Sequence, residues 1–300
     1  MINFLVKYFA IFFLCFAFTS ISNAQKTASL NPQQISALGY LDSLGKIDSS
    51  IYWPNIKPKL FIQNIRKNIS NPTFIYAGSN TNFCGYAALS YSCISTYPLR
   101  YARFMIELYK NGKADFRKVH FKPSDKVKLA SGQLRFKGEL DINHADQMWY
   151  MSLADHFKGY INWLSLSYGP GKENVLWPST NFAKFNRMLR RICDYKVDAV
   201  GSDLIRPIFN DVTAFLNQKL VENHQVFLFL NNAILHKSNH NKVKFRFPTH
   251  YVVLFSITEN AGTTNLVYWD YGFKTLLQLP TETFKDILFG VTWCNKNVEE

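Results

Sequence analysis

The pattern of apolar and polar positions predicts helices in the first two thirds of the chain. Residues 98–110 carry apolar side chains at helical spacing, with Pro98 able to begin a helix and Gly112 able to end it. Residues 84–95 are small or apolar on every side, which is typical of a helix buried inside a fold. The predicted helices span residues 31–44, 60–67, 84–95, 98–110, 144–157, 180–194 and 203–223, the last with Ser202 or Asp203 as its cap.

Short β-type runs dominate the last third of the chain. Residues 243–247 alternate apolar and basic side chains, as a half-exposed strand does, and residues 259–262 have the composition of a hairpin turn. Helices followed by an antiparallel sheet predict an α+β fold. The predicted strands span residues 225–230, 243–247, 250–257, 265–270, 274–279 and 291–293, with a helix at 280–289.

The first 24 residues have the pattern of an export signal. Lys7 precedes a short apolar stretch at residues 8–18, and small residues at positions 22 and 24 suit signal cleavage before Gln25. A retained membrane anchor is the alternative reading. The prediction is therefore an exported protein, periplasmic or secreted, with no membrane span after cleavage.

Residues 25–300 are long enough for one large domain or two small ones, and we expect a single domain. Polar residues 25–75, interrupted by prolines, predict a lead-in region. Residues 113–140 are basic and rich in turn formers, which predicts an exposed, partly irregular insertion.

The chain is basic, with 34 Lys and Arg against 21 Asp and Glu. This charge favours anionic partners such as a cell-envelope polymer, although scattered basic residues also suit a solvated surface. The sequence contains no zinc finger, P-loop or RNA-binding aromatic signature, so no specific nucleic-acid binding and no cofactor are expected. The histidines show no ligand spacing that would indicate a metal site.

Cys84 is the strongest candidate for chemistry, because a polar loop runs there into a predicted helix. Helix N-termini favour thiolate over thiol, so such a cysteine can act as a nucleophile at neutral pH. His250 opens a predicted strand and Asp270 closes the next one, which makes them a candidate base and a candidate orienting acid. Taken singly, each also suits a structural role: a buried helix cysteine, a core histidine or a turn aspartate.

Four cysteines remain after signal cleavage. If Cys84 must stay a thiol, an odd number is left for pairing. A Cys193–Cys294 disulfide and free buried thiols both remain open.

The motifs Asn82-x-Cys84-Gly85-x-Ala87-Ala88, His250-Tyr251-Val252-Val253 and Trp269-Asp270-Tyr271-Gly272 resemble those of papain-like cysteine peptidases and amidases, most closely the bacterial double-glycine, bacteriocin-processing branch. The resemblance implies that Cys84 begins a central helix and that His250 and Asp270 lie on neighbouring strands of a sheet.

The resemblance also implies residue roles around these three. Relatives supply an oxyanion-hole Gln shortly before the cysteine, but the nearest upstream Gln63 is too distant here. Asn82 is the expected replacement, with Asn80 as a fallback. The expected flanking or substrate-binding residues are Gly85, Tyr86, Trp269 and Tyr271.

The leading expectation is an exported cysteine hydrolase that cuts an amide bond in a peptide, a protein or the peptide stem of peptidoglycan. A secreted effector that deamidates or crosslinks protein glutamine is the first alternative, because the same triad serves both. A catalytically inactive papain-like binding module is the second.

Overall fold

A six-stranded antiparallel sheet organises the computed structural model, which describes residues 30–78, 81–134, 142–158, 167–232 and 248–296. The described residues form nine α-helices: α1 (Pro32–Ser43), α2 (Pro58–Ser70), α3 (Cys84–Thr96), α4 (Pro98–Asn111), α5 (Asp125–Ala130), α6 (His144–Phe157), α7 (Phe182–Met188), α8 (Val212–Val221) and α9 (Thr281–Ile287). The strands are β1 (Ala114–Phe116), β2 (Val119–Phe121), β3 (Tyr195–Gly201), β4 (Gln225–Leu230), β5 (His250–Asn260), β6 (Thr263–Asp270), β7 (Phe273–Pro280) and β8 (Leu288–Lys296).

The large sheet has the strand order β3-β8-β4-β5-β6-β7, and β1 and β2 form a separate hairpin. All neighbouring strands are antiparallel. Helices precede most of the sheet along the chain, so the predicted α+β class is confirmed.

Both faces of the sheet are covered at β4, which explains the unbroken apolar sequence of that strand. Phe227 and Phe229 belong to the larger core that β4 shares with α3 and α7. Val226 and Leu228 belong to a second core beneath α8 and α9. Side chains alternate between the two faces of a strand, so a strand with two covered faces is apolar at nearly every position.

Helix α3 packs on β5 and against α4, α6 and α7. Its residues from Gly85 to Ser90 are all buried. Small side chains at several of these positions let neighbouring elements approach from different sides. The helix predicted at residues 84–95 is therefore confirmed, and so is its buried character.

A disulfide between Cys93 and Cys193 joins α3 to the wide helical turn Leu189–Cys193 that follows α7. The considered Cys193–Cys294 pairing is therefore wrong. Cys294 is a buried free thiol on β8, and Cys84 is also free. Cys193 faces Cys93 because α7 and its final turn pack against α3, a contact between segments 100 residues apart.

The predicted helix at residues 203–223 is wrong in its first half, because α8 begins only at Val212. Its cap is Asp211, whose Oδ1 accepts a hydrogen bond from the Ala214 N–H at 2.8 Å. Asp203 instead accepts from the N–H of Phe182 at 3.1 Å. Strand β3 lies between the helices predicted at residues 180–194 and 203–223 and has no counterpart among the predicted strands.

The segment at residues 113–140 is less exposed than its basic composition predicts. Phe116 and Phe121 are buried and pack against Trp149 of α6. The β1–β2 hairpin and α5 thus belong partly to the core, and their basic side chains alternate with buried ones. Residues 135–141, the predicted strand at 243–247 and the predicted export signal at 1–24 lie outside the described residues.

No helix within the described ranges is long and apolar enough to cross a membrane.

Candidate active site

Cys84 is the first residue of α3, and its thiol is half-buried. The preceding residue, Phe83, supplies no side-chain cap to the helix. The Sγ atom of Cys84 lies 3.6 Å from the carbonyl oxygen of Thr249, the residue immediately before β5. The start of α3 therefore meets the start of β5, where His250 follows.

His250 and Asp270 form a buried pair at one end of the sheet. His250 is the first residue of β5 and Asp270 is the last of β6, and these antiparallel neighbours place both residues at the same end. Nε2 of His250 lies 2.6 Å from Oδ1 of Asp270, and the two residues are 1% and 3% exposed. The structure therefore brings all three sequence-predicted residues, Cys84, His250 and Asp270, to one place.

The surroundings of His250 favour its charged form. Burial alone lowers the pKa of this imidazole, but the charge of Asp270, its hydrogen bond and the neighbouring Cys84 together raise it to about 10. At neutral pH the imidazolium is therefore the favoured form.

Tyr271 covers the histidine. Its ring is stacked on the imidazole, with centroids 4.8 Å apart and planes inclined by 27°. Its hydroxyl oxygen lies 3.4 Å from Nδ1, the ring nitrogen that Asp270 does not occupy. The predicted flanking position of Tyr271 thus corresponds to direct contact with His250.

Three further residues predicted to flank the site are buried in its surroundings: Gly85, Tyr86 and Trp269. A Cβ atom at Gly85 would lie 3.0 Å from Thr180 Cβ and 3.2 Å from a ring carbon of Tyr251, so glycine permits close packing here. The Tyr86 side chain is fully buried. Trp269 is buried too, and its Nε1 donates to the carbonyl oxygen of Thr73 at 2.8 Å. These three residues position the elements that carry the site.

Asn82 lies beside the cysteine, and its amide is already held in place. Its Nδ2 donates to the carbonyl oxygen of Val175 at 2.9 Å, and its backbone N–H donates to the carbonyl oxygen of Glu173 at 2.9 Å. The amide has a second N–H, so Asn82 can still donate a hydrogen bond to a reacting oxygen. Asn80, the fallback candidate, lies outside the described residues.

A cavity of about 490 Å³ opens next to Cys84. Its apolar walls come from Leu176, Leu204, Phe229 and Pro248. Leu176 and Leu204 are 60% and 74% exposed, so they form part of its rim. Sequence reasoning missed these residues, because they come from four separate segments and have no common motif.

Across the described ranges, no group of three or more His, Cys, Asp and Glu side chains could hold a metal ion. The site brings a thiol, an imidazole and a carboxylate together beside an apolar cavity.

The sequence matches no protein-family model and no curated protein. The function is therefore inferred from the geometry of the site.

Proposed function

We propose that this protein is an exported cysteine hydrolase with a papain-like fold, which cleaves an amide bond through Cys84, His250 and Asp270. The observation that carries the proposal is the buried His250–Asp270 pair at 2.6 Å, next to a free cysteine at a helix N-terminus. Nucleophile, base and orienting acid in this arrangement are the parts of a catalytic triad. A helix that begins at the nucleophile and packs on an antiparallel sheet supports the papain-like assignment.

In the proposed reaction the Cys84 thiolate attacks the acyl carbon of the substrate and forms a tetrahedral intermediate. The backbone N–H of Cys84 and the second amide N–H of Asn82 donate to its oxyanion. The carbon–nitrogen bond then breaks, and the His250 imidazolium gives its proton to the departing amine, which leaves a thioester.

Water completes the cycle. Neutral His250 takes a proton from a water molecule, whose oxygen attacks the thioester carbon. The carbon–sulfur bond breaks, the acid product leaves and the thiolate–imidazolium pair is restored. Asp270 keeps its hydrogen bond with Nε2 of His250 throughout the cycle, so Nδ1 remains turned towards the sulfur.

The expected substrate is a peptide, a protein or the peptide stem of peptidoglycan. A cavity of about 490 Å³ with apolar walls accommodates a side chain next to the scissile bond. The excess of basic residues favours an anionic cell-envelope polymer as a partner outside this cavity.

Export is supported by the Cys93–Cys193 disulfide. Disulfides persist in oxidising compartments and are rare in the cytosol, so this bond agrees with the export signal that the first 24 residues predict.

The test is alkylation of the non-reduced protein, residues 25–300, with iodoacetamide at pH 6. Wild type is compared with His250→Ala and with His120→Ala, whose histidine is exposed and lies on β2 of the separate hairpin. Mass spectrometry locates the label, and the buried Cys294 is an internal reference for unselective reaction.

Fast modification of Cys84, unchanged in His120→Ala and slowed at least about tenfold in His250→Ala, is the expected result. Screening of peptides and peptidoglycan fragments would follow. If Cys84 were labelled slowly and at the same rate in wild type and His250→Ala, the hydrolase proposal would be contradicted. A catalytically inactive binding module would then be the better interpretation.

A further inference from the structure

A second groove lies between α1 and α4, separate from the cavity beside Cys84. Its volume is about 400 Å³. Helix α1 contributes Gln33 and Ser36 to its walls, and α4 contributes Arg100 and Arg103. The side chain of Arg100 is half-buried and that of Arg103 is exposed. The groove therefore places two cations on a concave surface that the proposed reaction does not use.

A third cation joins the two arginines around the ring of Tyr97, the residue between α3 and α4. The guanidinium carbon of Arg100 lies 5.0 Å from the centre of this ring, and Nζ of Lys296 lies 5.4 Å from it. Arg103 follows one turn further along α4, where its guanidinium carbon lies 5.7 Å from the centre of the Tyr40 ring. Three like charges therefore gather at one end of the groove and raise the positive potential there.

The three cations lack a paired carboxylate within the described residues. Ion pairs occupy the guanidinium groups of Arg66 and Arg206. In the described part of the chain Arg100, Arg103 and Lys296 form none, and Nη1 of Arg100 is buried without a hydrogen-bond partner. Nearly all buried polar groups in proteins are hydrogen-bonded, and a cation that is buried without a partner is costly. An anion bound in the groove would satisfy this nitrogen.

Two carboxylates also line the groove, and neither forms an ion pair with the three cations. Glu107 follows Arg100 by seven residues of α4, which places it about 10 Å further along the helix. Asp115 on β1 is bound to His120, with Oδ1 2.7 Å from Nδ1 of the imidazole. The positive charge of the groove is therefore concentrated towards Tyr97.

We propose that the Tyr97 end of this groove binds a phosphate group. The guanidinium groups of Arg100 and Arg103 can each donate paired hydrogen bonds to phosphate oxygens, and the ammonium group of Lys296 adds a third positive charge. Three cations suit the charge of phosphate better than the single charge of a carboxylate. Helix α4 begins beside them at Pro98, so its N-terminus adds a partial positive charge.

The phosphate site lies far from the proposed nucleophile. Helix α3 runs from Cys84 to Thr96, a length of about 20 Å, and Tyr97 follows its last residue. A ligand that reached both places would have to be a polymer. The expected source of the phosphate group is therefore an anionic cell-envelope polymer, with free phosphate as the alternative that the experiment distinguishes. Binding at this site requires no chemistry of Cys84, so the inference does not depend on the proposed hydrolase.

The test is isothermal titration calorimetry of the non-reduced protein at one fixed salt concentration. The probes are inorganic phosphate, poly(glycerol phosphate) and polyglutamate of similar length. The variants are Arg100→Gln, Arg103→Gln and, as a control, Lys274→Gln. Lys274 on β7 also lies against an aromatic ring, with Nζ 5.3 Å from the centre of Phe255, and its replacement removes the same charge. Circular dichroism and thermal melting establish that each variant folds.

Wild type is expected to bind both phosphate probes more tightly than polyglutamate. Arg100→Gln and Arg103→Gln should each weaken phosphate binding about tenfold, because each removes a charge-assisted, paired contact. Lys274→Gln should weaken it less than about twofold, because it changes only the overall charge. Tighter binding of poly(glycerol phosphate) than of inorganic phosphate would assign the site to a polymer, and equal affinity would assign it to free phosphate.

The inference would be overturned if wild type bound neither phosphate probe, or if it bound polyglutamate equally well. Equal effects of Lys274→Gln and the two arginine substitutions would also overturn it, since the attraction would then come from the general positive charge of the protein. The iodoacetamide rate of Cys84 should keep its wild-type value in both arginine variants. If that rate in wild type did not depend on His250, the proposed function would fail, whereas the phosphate titrations would still decide the present inference.

Discussion

The sulfur of Cys84 lies 3.6 Å from the carbonyl oxygen of Thr249, so the first residue of α3 contacts the residue that leads into β5. This contact joins the helical part of the chain to the sheet at the point where the proposed nucleophile and base meet. It depends on how closely α3 approaches its neighbours, and Gly85 sets that approach.

Gly85→Ala is expected to separate α3 from β5. The added methyl group would lie 3.0 Å from Thr180 Cβ and 3.2 Å from the Tyr251 ring, so the start of the helix must shift. The free energy of unfolding should fall by about 1–3 kcal/mol, and Cys84 alkylation at pH 6 should slow about tenfold. Chemical denaturation and mass spectrometry measure the two effects.

Gly39→Ala is the matched control for that substitution, because Gly39 lies in α1 with nothing within 4 Å of an added Cβ. Alanine should stabilise this helix by about 0.5–1 kcal/mol. If Gly85→Ala and Gly39→Ala had equal effects on the free energy of unfolding and on Cys84 alkylation, the space around Gly85 would not control how closely α3 approaches its neighbours.

The stability of the fold should depend on the charge of His250. Its pKa is about 10 in the folded protein against an ordinary 6.5, because Asp270 and Cys84 outweigh burial. The folded state therefore holds this proton more tightly than the unfolded chain. The contribution of this proton to the free energy of unfolding is complete below about pH 6.5 and is lost as the pH rises through about 10. Chemical denaturation of wild type and His250→Gln across this pH range measures this contribution. If the free energy of unfolding changed with pH in the same way in both proteins, the prediction would be contradicted.

Ionisation of Asp146 on α6 should make the free energy of unfolding depend on pH in a second, separate range. Its carboxylate accepts hydrogen bonds from Asn64 at 3.3 Å and Asn68 at 2.6 Å, both on α2. Burial outweighs these bonds and raises its pKa to about 6 from an ordinary 3.8. The free energy of unfolding should thus fall by about 3 kcal/mol as the pH rises from about 4 to about 6. If Asp146→Asn kept this slope, another group would be its source.

The Cys93–Cys193 disulfide should account for a large part of the stability. It closes a loop of 100 residues, for which the chain-entropy model gives about 4.7 kcal/mol as an upper value. Cys93→Ser should lower the denaturation midpoint markedly. Cys294→Ala, which removes the buried free thiol, should cost about 1 kcal/mol. Peptide mapping without reduction should recover Cys93 linked to Cys193, and a Cys193–Cys294 peptide would contradict the structure.

Local signals were sufficient for most helices and for the hairpins near the site. The helix at His144–Phe157 has the predicted bounds, and the turn predicted at residues 259–262 joins β5 to β6. The predicted strands, the turn between them and the resemblance to papain-like peptidases together predict the hairpin that brings His250 to Asp270, because two strands joined by a short turn place their outer ends together.

Predictions failed where a distant contact decides the outcome. Helix α8 starts at Val212, with Asp211 as its cap, rather than at Asp203. The carboxylate of Asp203 instead accepts a hydrogen bond from the N–H of Phe182. Phe116 and Phe121 are buried because Trp149 lies above them, although their segment is basic. Composition describes the average environment of a segment and not the neighbour that each side chain meets.

The sequence by itself determined the α+β class, the buried helix that begins at Cys84 and the strands that carry His250 and Asp270, because these follow from periodicity and turn residues over short stretches of chain. Only the tertiary structure decided the disulfide partner of Cys193, the cavity beside the cysteine and the contact of Tyr271 with the imidazole. Those features depend on the packing of segments far apart in the chain, which leaves no local pattern in the sequence.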